Sequence, residues 1–371
     1  MKILKIVGIF ILFVGIGLEL GNILDKKTDW LSPLSSGWRN GQFNGIKNQE
    51  KPKEKNTGYL AQYNFENLKK REPQTSEIKI VEENKVLDET RKKLIKAYAK
   101  EGIKKEDNFV SYVITFESNG KKISGMLNLP AGRQVFQNNN VNEKYPAIIM
   151  IRGYAESEGY FVGSGSWKAA DELARNGFVT ISLDFLGYGL SDGESKDILE
   201  ARFEKPVSVL DLMAAVKKLD YVDNTKIGIW SHSNGGQIAI SVLEITGENY
   251  PTVLWAPMTN PFPQSILETM DDSEGGKIVK QKIADFEQDY DSKLYSIDNF
   301  YEWINSPILI HQGTSDVWCK VEWQENLKNK LTKLSKEVRL DVRQGNDHNL
   351  KQSWDEVIKM DVEFFREKLG I

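Results

Sequence analysis

Cysteine and histidine are scarce in this chain of 371 residues, and each scarcity removes a class of explanation. A single cysteine, Cys319, excludes an intrachain disulfide framework and a cysteine-rich zinc site. The three histidines, His232, His311 and His348, are scattered without ligand spacing, so neither a metal ion nor another cofactor is expected. There is no excess of charge of either sign: 49 basic and 53 acidic side chains leave a formal net charge of −4. That balance supplies no bulk attraction to nucleic acid or to an anionic membrane surface, so a small molecule or peptide is the expected partner. Apolar residues are in good supply at 40%, enough for the core of one large domain with an extension.

One apolar run stands out, at residues 6–18, with Lys2 and Lys5 before it. It is shorter than the ~20 residues that span a bilayer, and Ile3, Leu4, Leu20, Ile23 and Leu24 extend it at the edges. With no small-x-small cleavage site after Leu18, residues 1–24 are expected to form an uncleaved signal-anchor. A cleaved signal peptide and a buried core helix are the alternatives. The positive flank keeps that end in the cytoplasm and puts the remainder outside it, membrane-anchored, or secreted if the segment is cleaved. Residues 25–57 carry Ser-Pro, Ser-Ser-Gly and Lys-Pro-Lys in the manner of a linker. Residues 58–108 are expected to be an extension packed on the main domain, with Val86, Leu87, Leu94, Ile95 and Tyr98 on one helix face.

From residue 109 the periodicity changes. Residues 109–116 and 123–130, separated by Asn119-Gly120, predict an antiparallel hairpin. Short apolar runs follow at 147–151, 178–183, 226–230, 252–255, 307–311 and 338–342. Helical patterns lie at 167–176, 206–219, 235–244, 321–334 and 353–369. Strands alternating with helices predict an α/β domain over residues 109–371, with a mostly parallel sheet covered on both faces. Residues 258–306 interrupt the rhythm as a short lid insert with aromatics at Tyr290, Tyr295, Phe300, Tyr301 and Trp303.

The chemistry concentrates at three places. Ser233 lies in Ser231-His232-Ser233-Asn234-Gly235, between a strand and a helix, where a tight turn lifts a nucleophile clear of the sheet. Asp316 follows the run at 307–311 and is placed to orient an imidazole, and His348 follows the strand at 338–342 as the candidate base. Asp347 is a weaker rival acid because it adjoins His348, while His232 and His311 are expected to serve packing or hydrogen bonding. The order serine, acid, histidine points to acyl transfer. An oxyanion would be held by the amides of Asn234 and Tyr154, the latter in Arg152-Gly153-Tyr154-Ala155. Arg152 is a candidate for a substrate carboxylate or for a structural ion pair. Asp184 to Gly193 is a turn-rich loop expected to be scaffolding.

These motifs resemble the α/β-hydrolase superfamily, and most closely the catalytic domain of the prolyl oligopeptidase, or S9 serine peptidase, group. The similarity runs from about Phe109 to Leu369 and includes Ser124-Gly125, Arg152-Gly153-Tyr154, the Ser233 elbow, Trp255-Ala256-Pro257, Asp316 and His348. Two positions depart from the pattern: Arg152 stands where many relatives have histidine, and Ser231 replaces the first glycine of the elbow. The resemblance implies a serine hydrolase that cleaves esters or amides through an acyl-enzyme. Carboxylesterase and S9-like aminopeptidase or oligopeptidase remain open, as does a catalytically inactive, membrane-tethered binding protein. The residues before 109 are too few for the large β-propeller that the peptidases carry.

Overall fold

Asn119 and Gly120 both adopt positive φ, 50° and 71°, the geometry that lets a two-residue turn follow the right-handed twist of the strands it joins. They close the hairpin between β2 (Phe109–Ser118) and β3 (Lys121–Pro130). The computed structural model describes residues 55–83, 108–130, 144–269 and 273–371. The expected signal-anchor, most of the linker and the helix face at Val86 to Tyr98 lie outside the described residues. No described helix is long and apolar enough to cross a membrane.

The described strands form one nine-stranded sheet, in the order β1-β2-β3-β5-β4-β6-β7-β8-β9. β1 (Lys79–Glu83), β2 and β3 are antiparallel, and β3 also meets its other neighbour, β5 (Val179–Leu183), antiparallel. The rest is parallel: β4 (Tyr145–Ile151), β5, β6 (Val222–His232), β7 (Thr252–Trp255), β8 (Ile308–Gly313) and β9 (Val338–Arg343). Alternation assigns the two faces. Ile149, Ile151, Ile229, Leu254 and Ile310 enter one buried cluster, while Ile148, Met150, Trp230, Val253 and Leu309 enter another. The first face is covered by α3 (Ile198–Val216) and α4 (Asn234–Thr246), the second by α2 (Trp167–Arg175) and α8 (Trp354–Leu369). Each fully buried Ile or Leu stabilises by about 1.5–3 kcal/mol, so both clusters are needed to hold a sheet of this size.

α3 begins eight residues before the expected start at Pro206. Asp197 caps it by accepting from the amides of Leu199 and Glu200, and Pro206 lies inside the helix. The chain before residue 109 also supplies a strand, β1, and a short helix, α1 (Phe65–Lys70), capped by Asn64. This extension is fastened by Arg71, whose guanidinium makes two parallel bonds to the fully buried Asp211, 2.7 and 2.8 Å. The insert at 258–306 contains α5 (Gln264–Leu267), α6 (Glu274–Asp289) and three 3-10 turns. Tyr290, Tyr295, Phe300 and Tyr301 are buried, Tyr295 against Phe203 of α3 and Phe300 against Phe65 of α1. α7 (Val321–Lys333) precedes β9.

One buried group works against this fold. Glu244 of α4 is fully buried, and neither carboxylate oxygen has a hydrogen-bond partner among the described residues. Burial, then Asp298 and Glu302, push its pKa well above the ordinary value. A raised carboxyl contributes stability below its unfolded pKa and loses it as pH rises. Glu244→Leu is therefore expected to stabilise by about 1–3 kcal/mol at pH 7 and by less at pH 4. Urea melts at the two pH values check this; equal stability of the variant and the parent at pH 7 would mean the carboxylate has a partner.

Candidate active site

The serine elbow is built where β6 passes into α4. Ser233 has φ 56° and ψ −125°, a strained conformation for a residue with a side chain. The surroundings over-determine it: its amide donates to Trp255 O at 2.9 Å, and its carbonyl accepts from Gly236 N at 2.9 Å and Met258 N at 2.8 Å. Glycine is required around the turn because the backbone of Ile151 and Arg152 crowds Gly235, and Pro257 crowds Gly236. Ser231 at the usual first glycine is fully buried, with its hydroxyl toward Val253 O, so the substitution costs the turn nothing visible.

Asp316 sits just beyond β8. One oxygen accepts from the amides of Trp318 (2.8 Å) and Cys319 (3.0 Å), the other from His348 Nδ1 (2.8 Å) and Gln312 Nε2 (3.0 Å). Burial would raise this carboxyl, but the bond and charge of His348 and the other donors outweigh it, so its pKa lies below the ordinary value. Gln312 is held in turn by Gln324, which also donates to Pro257 O and accepts from Thr259. Neither glutamine was legible as part of the site: a long polar relay leaves no periodic trace in the sequence. Asp347 turns away from the imidazole and caps the following turn through the amides of Asn349 and Lys351.

The loop carrying His348 lies beside the elbow. The His348 and His232 ring centroids are 4.8 Å apart, and His232 Nε2 donates to His348 O at 3.0 Å. Burial and then the neighbouring His348 push His232 down to about 3, so it is neutral and serves to hold the loop. Among the described residues Ser233 Oγ makes no hydrogen bond.

On the other side of the elbow, Gly153 lies so close that a Cβ there would stand 2.7 Å from Ser233 Cβ and 3.1 Å from His232 O. Gly153→Ala is expected to lower kcat/KM about 100-fold by displacing Ser233 by a fraction of an ångström while the fold is kept. Steady-state rates alongside circular dichroism check this, and an unchanged rate would separate the loop from the serine. The amides of Tyr154 and Asn234 have no intramolecular acceptor among the described residues, and the Tyr154 side chain is 75% exposed. Arg152 requires a correction. It is 4% exposed, donating to Gly153 O and Asp184 O at 2.8 Å each and lying over the Tyr188 ring at 4.1 Å. It braces the loop through carbonyls and an aromatic face, and its charge, withdrawn from solvent, also offsets part of the burial that raises the nearby Asp184 carboxyl. Asp184 braces the same region, accepting from Ser124 Oγ, Tyr160 OH and Gly163 N.

His311 stands apart from these groups. Fully buried, it donates through Nδ1 to Asp341 (2.8 Å) and through Nε2 to Asp361 (2.9 Å). Asp361 also accepts from the indoles of Trp230 and Trp255, at 3.1 and 2.7 Å.

A sequence profile of the prolyl oligopeptidase family matches residues 166–371, the stretch that holds Ser233, Asp316 and His348. Over 96 residues the chain is 32% identical to an uncharacterized 31.7 kDa protein of Escherichia coli, a match covering 26% of this chain and 31% of that protein. Dipeptidyl peptidase 4 of Porphyromonas gingivalis superposes with a TM-score of 0.53 at 15% identity, over 77% of this chain and 38% of that one. Acetyl xylan esterase from Paenibacillus sp. R4 superposes with a TM-score of 0.57 at 14% identity, over 81% of this chain and 91% of that one. At such identities the likeness is one of fold, and the fold is that of the α/β hydrolases.

Proposed function

The chain belongs to the prolyl oligopeptidase family; from this premise we propose that it is a serine hydrolase in which Ser233, His348 and Asp316 form the catalytic triad and cleave esters or amides through an acyl-enzyme. The observation that carries the reading is the 2.8 Å bond between His348 Nδ1 and Asp316, on a loop held against the strained Ser233 turn. That bond fixes the tautomer with Nε2 unprotonated, ready to accept the serine proton. Ser233 Oγ attacks the scissile carbonyl carbon, and its proton passes to His348 Nε2. The oxyanion is held by the amides of Asn234 and Tyr154, whose donors are unspent. Collapse breaks the bond to the leaving group, which takes the proton from His348, and water repeats the sequence to release the acid. Hydrogen bonds to the nucleophile are often loose before substrate binds, so a free Ser233 Oγ is compatible with this role.

The insert at 258–306 and the extension act as the walls of the substrate cleft, because Tyr63 and Phe65 of the extension meet Phe262 and Tyr295 of the insert there. The four donors on Asp316 speak against the inactive binding protein, which would have no need of so heavily held a carboxylate. On the strength of Lys2, Lys5 and residues 6–18, we place the catalytic unit outside the cytoplasm, which protease accessibility in intact cells tests.

The test of the triad is labelling of the full chain with a fluorophosphonate probe, the adduct mapped by mass spectrometry. An adduct on Ser233 that vanishes in His348→Ala supports the reading. A folded wild type that stays unlabelled, or an adduct on another serine, overturns it.

A further inference from the structure

Two cations share the cleft beside Ser233, and among the described residues neither forms an ion pair within 4 Å. Arg202 and Lys205 lie one helical turn apart on α3 and line a narrow, open cleft that reaches Asn234, the residue after Ser233. Among the described residues Arg202 bonds neutral oxygens, Gln237 Oε1 and Ser265 Oγ. Lys205 makes no hydrogen bond or ion pair among the described residues. The nearby Glu204 is bound through one oxygen by Lys121 at 2.9 Å, its other oxygen has no hydrogen-bond partner among the described residues, and Glu204 and Glu194 act on Lys205 only through longer-range attraction. Burial first, then the repulsion of Arg202 and to a lesser extent Arg152, lowers Lys205 to about 8, against the smaller attraction of Glu194 and Glu204. Neighbouring like charges, withdrawn from water and unpaired, are costly to fold, and that cost is offset when an anion enters between them. The other walls mix apolar side chains, Phe65, Phe203 and Phe262 among them, with the polar Tyr63, Gln237 and Ser241. The cleft therefore suits a short apolar stem that ends in a carboxylate.

The side of the scissile bond follows from what the cleft omits. No residue of the Asp316 or His348 loops lines it. The leaving group must lie within reach of His348, which protonates it, so the acyl group is the part directed into the cleft. Resting on the acyl-transfer reading above, we propose that the preferred substrates are esters or amides whose acyl group carries a terminal carboxylate, held by Arg202 and Lys205.

The test compares two p-nitrophenyl esters on the full chain: the hydrogen glutarate and the pentanoate, which differ in a carboxylate against a methyl at the same chain length. The glutarate is expected to show a kcat/KM about tenfold or more higher, expressed in KM, since charge-assisted hydrogen bonds are the strong ones. Lys205→Met should pull the ratio toward one. In the wild type the ratio should fall as pH rises past about 8, where the Lys205 ammonium is lost; because it is a ratio, the titration of the triad cancels from it. A parallel readout uses Ser233→Ala: methyl hydrogen glutarate should raise its thermal midpoint and methyl pentanoate should not. A ratio at or below one, or equal thermal shifts from the two methyl esters, overturns the proposal. If neither ester is turned over and no fluorophosphonate adduct forms, the triad reading has failed, and the thermal shifts alone then decide whether the cleft takes a carboxylate.

Discussion

Ser233→Ala is expected to lower kcat by about 10⁴- to 10⁶-fold, and His348→Ala by a similar factor, while the double variant falls no further than the more damaged single. The reason is that the two side chains act in one event: without the proton acceptor the hydroxyl is no better a nucleophile than water, and without the hydroxyl the acceptor has nothing to activate. What remains is catalysis by the amides of Asn234 and Tyr154 alone. Asp316→Asn should cost about 10⁴-fold, since the amide offers an N–H to His348 Nδ1 and favours the wrong tautomer. Four donors already surround that carboxylate, so the asparagine NH₂ also faces amides where it needs an acceptor. Single-turnover rates on one activated ester across these variants check the set. Losses for Ser233→Ala and His348→Ala that multiply in the double variant would mean the two groups act in separate steps.

Much of this site was legible because its parts are local. The Asn119-Gly120 turn, the short apolar runs buried on both faces, and the small residues around Ser233 each follow from a few neighbouring positions. Asp316 and His348 were found because strands of a parallel sheet end at one edge, which turns order along the chain into proximity. What escaped notice depends on distant partners. Arg152 reads as a contact for a substrate carboxylate or as half of an ion pair until Asp184 O, 32 residues away, and the Tyr188 ring are seen to enclose it. β1 is a charged edge strand, Lys79-Ile80-Val81-Glu82-Glu83, with no apolar run to announce it. Pro206 reads as a helix start by its rigid φ, yet the cap at Asp197 opens the helix earlier and the chain continues through the proline. Arg202 and Lys205 fall before the helix expected from Pro206, and only the extension and the insert closing over α3 make them part of a cleft.

The largest loss of stability is expected from Asp361→Ala, by about 3–5 kcal/mol, because it strands a buried cation. His311 donates from both ring nitrogens, a state available only to the imidazolium. Burial alone would lower its pKa, but the hydrogen bonds and charges of Asp341 and Asp361 outweigh that, and the pKa is raised. Removing Asp361 leaves the His311 charge with one partner and orphans the indoles of Trp230 and Trp255 in the same step. The pH dependence has two limbs of opposite sign. His311, raised in the fold, contributes stability that is complete below its unfolded pKa of about 6.5 and is lost as pH climbs through the folded value. Asp341 is held down to about 2: burial raises it, but the hydrogen bonds of His311 and Arg343 prevail, so its contribution is present above about 4 and is lost as pH falls toward 2. The network is therefore strongest between about pH 4 and 6.5, and Asp361→Ala should narrow its gap to the parent above that window. Denaturant melts from pH 4 to pH 9 would show it. A gap that stays constant across that range would mean His311 is neutral in the fold and donates from one ring nitrogen only. His311 leaves β8 only five residues before Asp316, so loosening this cluster should also slow turnover before the protein unfolds.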